Sequence, residues 1–162
     1  METKVRAVID TSVYLASFKS RSTTSAPVKV IDNLREGNFL AILSPQIFLE
    51  TQDVATRPKH GFTQDYVRTF FSGIKSNIFI ISGDYNCYKL DDIDIKDNMI
   101  LAAALEGKAD YIISLDREHL LPLKNYQEIQ IVNPHQFLKE FKDYEIIKKT
   151  LSDEVLDTSK IS

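Results

Sequence analysis

Four acidic side chains stand at places in the sequence where they could converge on a metal ion. Asp10 and Asp116 each end an apolar segment, Glu50 lies within a helical apolar stripe, and Asp97 opens a further helical segment. Carboxylates that lie close together repel each other and lose hydration, so one takes up a proton unless a cation neutralises the group. We therefore predict a metal-dependent enzyme with these four acids as catalytic metal ligands.

The types of the candidate ligands indicate which metal they would bind. Carboxylate oxygens are hard ligands that favour Mg²⁺ or Mn²⁺ over Zn²⁺. The three histidines, His60, His119 and His135, are scattered along the chain, which argues against a zinc site. One or two hard divalent ions can activate water and stabilise the departing oxygen of a phosphodiester. Hydrolysis of nucleic acid is the reaction that this site predicts.

The acids must be positioned by a fold, and the hydrophobic pattern predicts one of the α/β class. Five apolar segments are predicted as strands, at 4–10, 39–43, 77–81, 109–116 and 129–132. Helices are predicted between and after them, at 13–16, 26–36, 45–56, 63–74, 99–106, 117–121 and 135–141. Strands that alternate with helices across short connections predict three α/β/α layers, with a central parallel sheet of about five strands.

A parallel sheet would gather the acids at one edge. Ligands of open α/β sheets bind beyond the carboxyl ends of the strands, where Asp10 and Asp116 would lie. Asp97 begins a helix on the same rim and has apolar residues at i+3, i+4 and i+7, so it should face inward. As ordinary structure, Asp10 would be a turn residue, whereas Asp97 and Asp116 would be helix caps.

Glu50 is the acid that is hardest to explain as ordinary structure, since a mid-helix position has no cap to fill. Its structural alternative is a buried salt bridge to Arg57 or Lys59. Four neighbours could hold the acids or a water molecule from a second shell: Thr11, Ser12, Asp94 and Ser114. Ordinary turn chemistry is the alternative for these four residues.

Composition sets the wider limits. A chain of 162 residues with 43% hydrophobic and 27% charged residues is expected to form one folded domain. One cysteine, no signal-like apolar run at the start and no membrane-length apolar segment predict a cytoplasmic location. A formal net charge of −3 does not exclude a polyanionic substrate, because the local field at the site decides binding.

The end of the chain differs from the rest. We predict a nuclease domain over residues 1–142 and a separate tail over residues 143–162. The tail is mixed and charged, and it contains few apolar residues. A short helix, a partner-binding arm and disorder all fit this pattern.

The motifs resemble those of the PIN-domain ribonucleases, and among them the VapC-type toxins of toxin–antitoxin pairs. The matching segments are VIDTSV at 8–13, SP to LE at 44–50, DIKDN to AAA at 94–104, and ADYIISLD to LL at 109–121. They occur in the family's order and together cover roughly residues 4–137. Ile95 and Leu115 depart from a frequent proline and a frequent glycine, but neither change removes an acid.

The resemblance implies roles for particular residues. It implies that Asp10, Glu50, Asp97 and Asp116 bind Mg²⁺ or Mn²⁺, and that the substrate is RNA. At the positions of Ser12 and Ser114, the family commonly has a small polar residue. It further implies a homodimer and, for a toxin, a protein antitoxin that blocks the acidic groove.

Basic and aromatic residues near the expected rim are candidates for RNA contact. The basic candidates, expected to bind backbone phosphates, are Lys19, Arg21, Arg57, Lys59, His60, Lys96 and Arg117. Solvated surface charge is the alternative for each of them. The aromatic face formed by Tyr66, Phe70 and Phe71 is predicted to be core or dimer surface rather than a base-stacking platform.

Two other functions compete with the nuclease hypothesis. A phosphatase of the haloacid dehalogenase type also places an acid after its first strand, but it needs a second aspartate where this chain has Ser12. A non-catalytic PIN-like module that binds RNA or protein usually lacks one or more of the acids. This chain has all four, so the nuclease hypothesis leads.

Overall fold

The computed structural model describes residues 4–84 and 95–159, without the side chains of residues 95–97 and 154–159. The strands are β1 (Arg6–Ile9), β2 (Leu40–Leu43), β3 (Ile78–Ile80), β4 (Tyr111–Ile113), β5 (Asn125–Tyr126) and β6 (Ile129–Val132). The helices are α1 (Thr11–Lys19), α2 (Ala26–Arg35), α3 (Pro45–Ala55), α4 (Gln64–Ile74), α5 (Ile95–Glu106) and α6 (Pro134–Ser159).

The strands form one sheet in the order β3-β2-β1-β4-β6-β5. All neighbours are parallel except β5, which pairs antiparallel with β6. The three-layer α/β/α prediction is confirmed. The count of about five strands falls one short, because β5 has two residues and is too short to show a periodic pattern.

The centre of the sheet is β1. Its residue Val8 lies between Ile42 of β2 and Ile112 of β4, and all three side chains are fully buried. Continuous apolar runs of this kind suit strands that are covered on both faces. Strands β2 and β3 are added in turn on one side of β1, and β4 then pairs with the other side of β1. The strand order therefore reverses between β1 and β4, which is where open α/β sheets bind ligands.

Local signals explain where several helices begin. The Ser44 hydroxyl oxygen accepts a hydrogen bond from the Ile47 N–H at the start of α3, and the Thr63 hydroxyl oxygen accepts one from Tyr66 at the start of α4. Asp10 precedes α1 in the same way, but its side chain makes no capping hydrogen bond. The Asp10 carboxylate is therefore directed to other partners.

Three helices are longer than predicted, among them α5, which begins at Ile95 rather than at residue 99. Helix α1 spans Thr11–Lys19 rather than 13–16, and α6 continues beyond residue 141 as far as Ser159. In the first part of α6, Phe137 packs against Phe39 and Tyr111 with ring centroids 5.1 and 5.3 Å apart. The predicted boundary between domain and tail, at residues 142 and 143, thus falls inside one continuous helix.

The helix predicted at 117–121 is wrong. The structure has a turn there, followed by a single turn of 3-10 helix at Leu121–Leu123. Oδ1 of Asp116 accepts hydrogen bonds from the N–H groups of Glu118 and His119, at 3.0 and 3.1 Å. Pro122 has no N–H with which to continue a helix. Asp116 therefore stabilises a turn instead of capping an α-helix.

The aromatic face of α4 divides between core and surface. Phe70 and Phe71 are buried, and their rings contact the ring of Tyr14 at centroid distances of 5.9 and 5.1 Å. Tyr66 is 43% exposed. Of the predicted alternatives, core or dimer surface, the two phenylalanines belong to the core and Tyr66 lies at the surface.

In the part of the chain that the structure describes, no helix is both long enough and apolar enough to cross a membrane.

Two glycines offer a matched test of the packing between α5 and β2. A Cβ atom at Gly107 would lie 2.7 Å from Cδ1 and Cγ2 of Ile42, a fully buried side chain of β2. We expect Gly107→Ala to lower the free energy of unfolding by about 1–3 kcal/mol through overpacking. Gly73 in α4 has no atom within 4 Å of that position, so Gly73→Ala should raise it by about 0.5–1 kcal/mol. Urea denaturation measures both, and shifts of the same sign would contradict this packing.

Candidate functional site

The candidate site lies at the carboxyl edge of the sheet, where the strand order reverses. Asp10 directly follows β1, and its N–H donates a hydrogen bond to the Ile113 carbonyl oxygen of β4 at 2.9 Å. Ser114 directly follows β4, and its N–H donates to the Val132 carbonyl oxygen of β6 at 2.9 Å. Sheet hydrogen bonds thus fix the backbone at both positions.

Two serine hydroxyls hold the Asp10 carboxylate. The Ser12 Oγ donates to Oδ2 of Asp10 at 2.7 Å, and the Ser114 Oγ donates to the same oxygen at 2.8 Å. Each serine oxygen also accepts a backbone hydrogen bond, Ser12 from the N–H of Leu115 and Ser114 from that of Asp116. These four hydrogen bonds orient Asp10 and join the loop after β4 to the start of α1.

The Glu50 side chain is held by the first residue of α1. The Thr11 Oγ1 donates to Oε2 of Glu50 at 3.0 Å and lies 3.0 Å from the hydroxyl oxygen of Thr51. Arg57, one of the two salt-bridge partners considered for Glu50, instead pairs with Asp53 at 3.0 Å. Because Thr11 follows Asp10 in the chain, its bond to Glu50 ties α3 to the start of α1 at the end of β1.

The electrostatics of Asp10 are unfavourable to a negative charge. Burial raises the pKa of the Asp10 carboxyl group, and the nearby charge of Asp116 raises it further. The hydrogen bonds from Ser12 and Ser114 and from the Thr11 backbone act in the opposite direction. Such a carboxylate is well suited to a cation, which would offset both the lost hydration and the repulsion.

The third acidic motif lies only partly within the described residues. The Arg6 guanidinium at the start of β1 donates to the Gly107 carbonyl oxygen at 3.1 Å, so α5 ends at the amino edge of the sheet. The first turn of α5, which contains Asp97, therefore faces the carboxyl edge. The side chains of Asp97 and Lys96, and the whole of Asp94, lie outside the described residues.

The described side chains supply only part of a metal site. Among them, no three His, Cys, Asp or Glu side chains are close enough to hold an ion. Asn98, which was not predicted as a site residue, has a buried Oδ1 without a hydrogen-bond partner among the described residues. Its position directly after Asp97 is the signal that could have identified it. Carboxylate and amide oxygens are the donor types that a hard divalent cation prefers.

Comparison with known families identifies the fold. A sequence profile of the PIN domain matches residues 6–118. The chain belongs to the PIN-domain family. No curated protein matches the chain with significant similarity. PIN domains are generally nucleases, and PIN-domain nucleases typically use divalent metals. The matched segment of this PIN domain contains all four predicted acids: Asp10, Glu50, Asp97 and Asp116.

Four of the seven basic candidates lie together in this PIN domain, at the ends of α1 and α3. They are Lys19, Arg57, Lys59 and His60, and their proximity is visible in the charge environment of His60. Arg21 lies two residues after Lys19 in an exposed loop, whereas Arg117 directly follows Asp116 on the surface. The basic candidates therefore do not form one group around the acids.

Proposed function

We propose that this PIN domain is a metal-dependent endoribonuclease that hydrolyses phosphodiester bonds of RNA. The observation that supports this most strongly is the hydrogen-bonded pair of serines on Asp10, at the reversal of strand order and beside Asp116. Burying and orienting a carboxylate next to another acid costs stability. A cation bound by the acids would offset this cost, and the substrate phosphate would approach the cation.

Each described acid would have a particular task. Asp10, held at Oδ2 by Ser12 and Ser114, would bind the ion from a fixed direction. Thr11 would orient Glu50 by its hydrogen bond to Oε2. Asp116 and Asp97 would complete the ligand set from the neighbouring loop and from α5. When bound, Mg²⁺ or Mn²⁺ would supply activation of the attacking water and stabilisation of the leaving oxygen.

We further propose that the protein is the toxin of a toxin–antitoxin pair, similar to the VapC proteins, and that it forms a homodimer. This step is supported by the motif resemblance, including the segments around Asp10 and Asp97. A cognate antitoxin would be a protein whose segment covers the acidic crevice. A non-catalytic PIN-like module is less well supported, since all four acids are present.

The proposal is tested by cleavage and by thermal unfolding with and without metal. We expect cleavage of single-stranded RNA with Mg²⁺ or Mn²⁺ and none in excess EDTA. At an ion concentration of 100 times its Kd, binding should stabilise the fold by about 2.7 kcal/mol. For a domain of this size, that corresponds to a rise in Tm of about 5–10 °C. Undiminished cleavage in EDTA, or an unchanged Tm, would contradict the metal mechanism.

A further inference from the structure

Helices α1 and α3 lie side by side and run in the same direction. Thr11, the first residue of α1, donates a hydrogen bond to Glu50 in the middle of α3. At the other end, the ring of Phe18 contacts the ring of Phe62, with centroids 5.6 Å apart, and the Phe62 N–H bonds to the Ala55 carbonyl oxygen at the end of α3. A helix rises about 1.5 Å per residue, so along the axes the end of α1 lies about 12 Å from Thr11 and the end of α3 about 7.5 Å from Glu50.

An exposed aromatic ring stands at this carboxyl end. The ring of Tyr66 packs against Phe18 and Phe62, with centroid distances of 5.3 and 5.0 Å. These neighbours fix its position, although Tyr66 is 43% exposed. A rigid, accessible ring is a suitable surface on which an unpaired base can stack.

Three basic side chains surround the same place. Lys19, Arg57 and Lys59 are all exposed, and Lys19 directly follows Phe18. The His60 N–H donates to the Arg57 carbonyl oxygen at 2.9 Å. Burial, and then the charges of Lys19, Lys59 and Arg57, lower the pKa of His60, so each of the three cations lies near this histidine. Arg57 is paired with Asp53, and both side chains are exposed. An exposed ion pair contributes little to stability, so a phosphate could replace Asp53 as the partner of Arg57.

We propose that Lys19, Arg57, Lys59 and Tyr66, the α1–α3 patch, bind the backbone and a base of the single-stranded substrate at a fixed distance from the cleaved bond. At about 3.4 Å per stacked nucleotide, separations of about 7.5–12 Å correspond to about two to four nucleotides. Phosphates would bind the three cations and one base would stack on Tyr66. The position relative to the cleaved bond rests on the proposed nuclease function, whereas the binding itself does not.

The test measures binding without cleavage. A fluorescent single-stranded RNA of about 12 nucleotides is titrated with full-length protein carrying Asp10→Asn, and fluorescence anisotropy gives the Kd at several salt concentrations. In this background, Lys19→Ala and Lys59→Ala together should weaken binding at least tenfold. Since each phosphate contact on a single strand contributes about 0.7 to the slope of log K against log salt, the pair should lower it by about 1.4.

Four further variants separate stacking, charge and non-specific effects. Tyr66→Ala should weaken binding about tenfold, whereas Tyr66→Phe should retain the wild-type Kd because the ring is kept. Asp53→Asn should tighten binding by releasing Arg57. As a charge-matched control, Lys139→Ala and Lys142→Ala together remove two exposed lysines of α6 and should change the Kd less than twofold.

The outcomes distinguish this inference from the proposed function. Equal losses in the patch and α6 variants, or no loss in either, would overturn the patch as a nucleic-acid site and leave it available to an acidic protein segment. That result would not count against the proposed nuclease function, which is tested by cleavage with the wild-type protein. If the wild type does not cleave RNA but the patch variants still bind less, the nuclease proposal fails and the binding site stands.

Discussion

Replacing Asp10 by asparagine is expected to lower the rate of RNA cleavage by at least about 1000-fold. Metal ligation contributes several kcal/mol to transition-state stabilisation, and each 1.36 kcal/mol corresponds to a factor of about ten in rate. The amide has the shape of the carboxylate, and its oxygen can still accept the hydrogen bonds from Ser12 and Ser114. The Asp10→Asn change would therefore preserve the structure while removing the charge that attracts the ion.

The fold of the Asp10→Asn protein should be intact. Removing a negative charge beside Asp116 relieves repulsion, so the Tm of the metal-free protein should not fall. The rise in Tm on adding Mn²⁺ should be lost. Asp143→Asn, which removes an exposed carboxylate from α6, is the charge-matched control and should cleave at the wild-type rate. A rate for Asp10→Asn within tenfold of the wild type would exclude Asp10 as an essential ligand.

The sequence predicts the elements that carry a strong apolar pattern. Strands β1, β2, β4 and β6 are largely buried on both faces and appear as nearly continuous apolar runs, which explains why the parallel sheet could be predicted. The length of α6 could not be predicted in this way. Beyond Phe141, Tyr144, Ile147 and Leu151 recur at helical spacing, but most of the residues between them are charged and the described side chains are largely exposed, so burial does not mark the continuation.

The site is predictable in its position but not in its hydrogen bonds. Parallel topology alone indicates that Asp10 and Asp116 share an edge of the sheet. That Ser12 and Ser114 donate to the same carboxylate oxygen depends on the pairing of β1 with β4, which lie about a hundred residues apart in the chain. Likewise, the proximity of Lys19 to Lys59 depends on the packing of α1 beside α3.

Ser114→Ala is expected to lower cleavage and metal affinity by about 10- to 100-fold, the range found when partners that orient metal ligands are removed. Ser114 is fully buried, so water has no access to replace its hydroxyl. The change would leave the Asp116 N–H without its acceptor and Asp10 with one hydroxyl donor fewer. Both acids would then lose part of their orientation.

Ser12→Ala provides the comparison for Ser114→Ala. Both serines donate to Oδ2 of Asp10, but Ser12 is only partly buried, and water can take the place of its hydroxyl. The loss for Ser12→Ala should therefore be several-fold smaller, and Ser17→Ala, whose hydroxyl bonds the Tyr14 carbonyl oxygen, should have no effect. Measuring kcat/KM against Mn²⁺ concentration separates these cases. Equal losses for Ser12→Ala and Ser114→Ala would show that the burial of Ser114 does not matter, and that both hydroxyls act only as donors to Asp10.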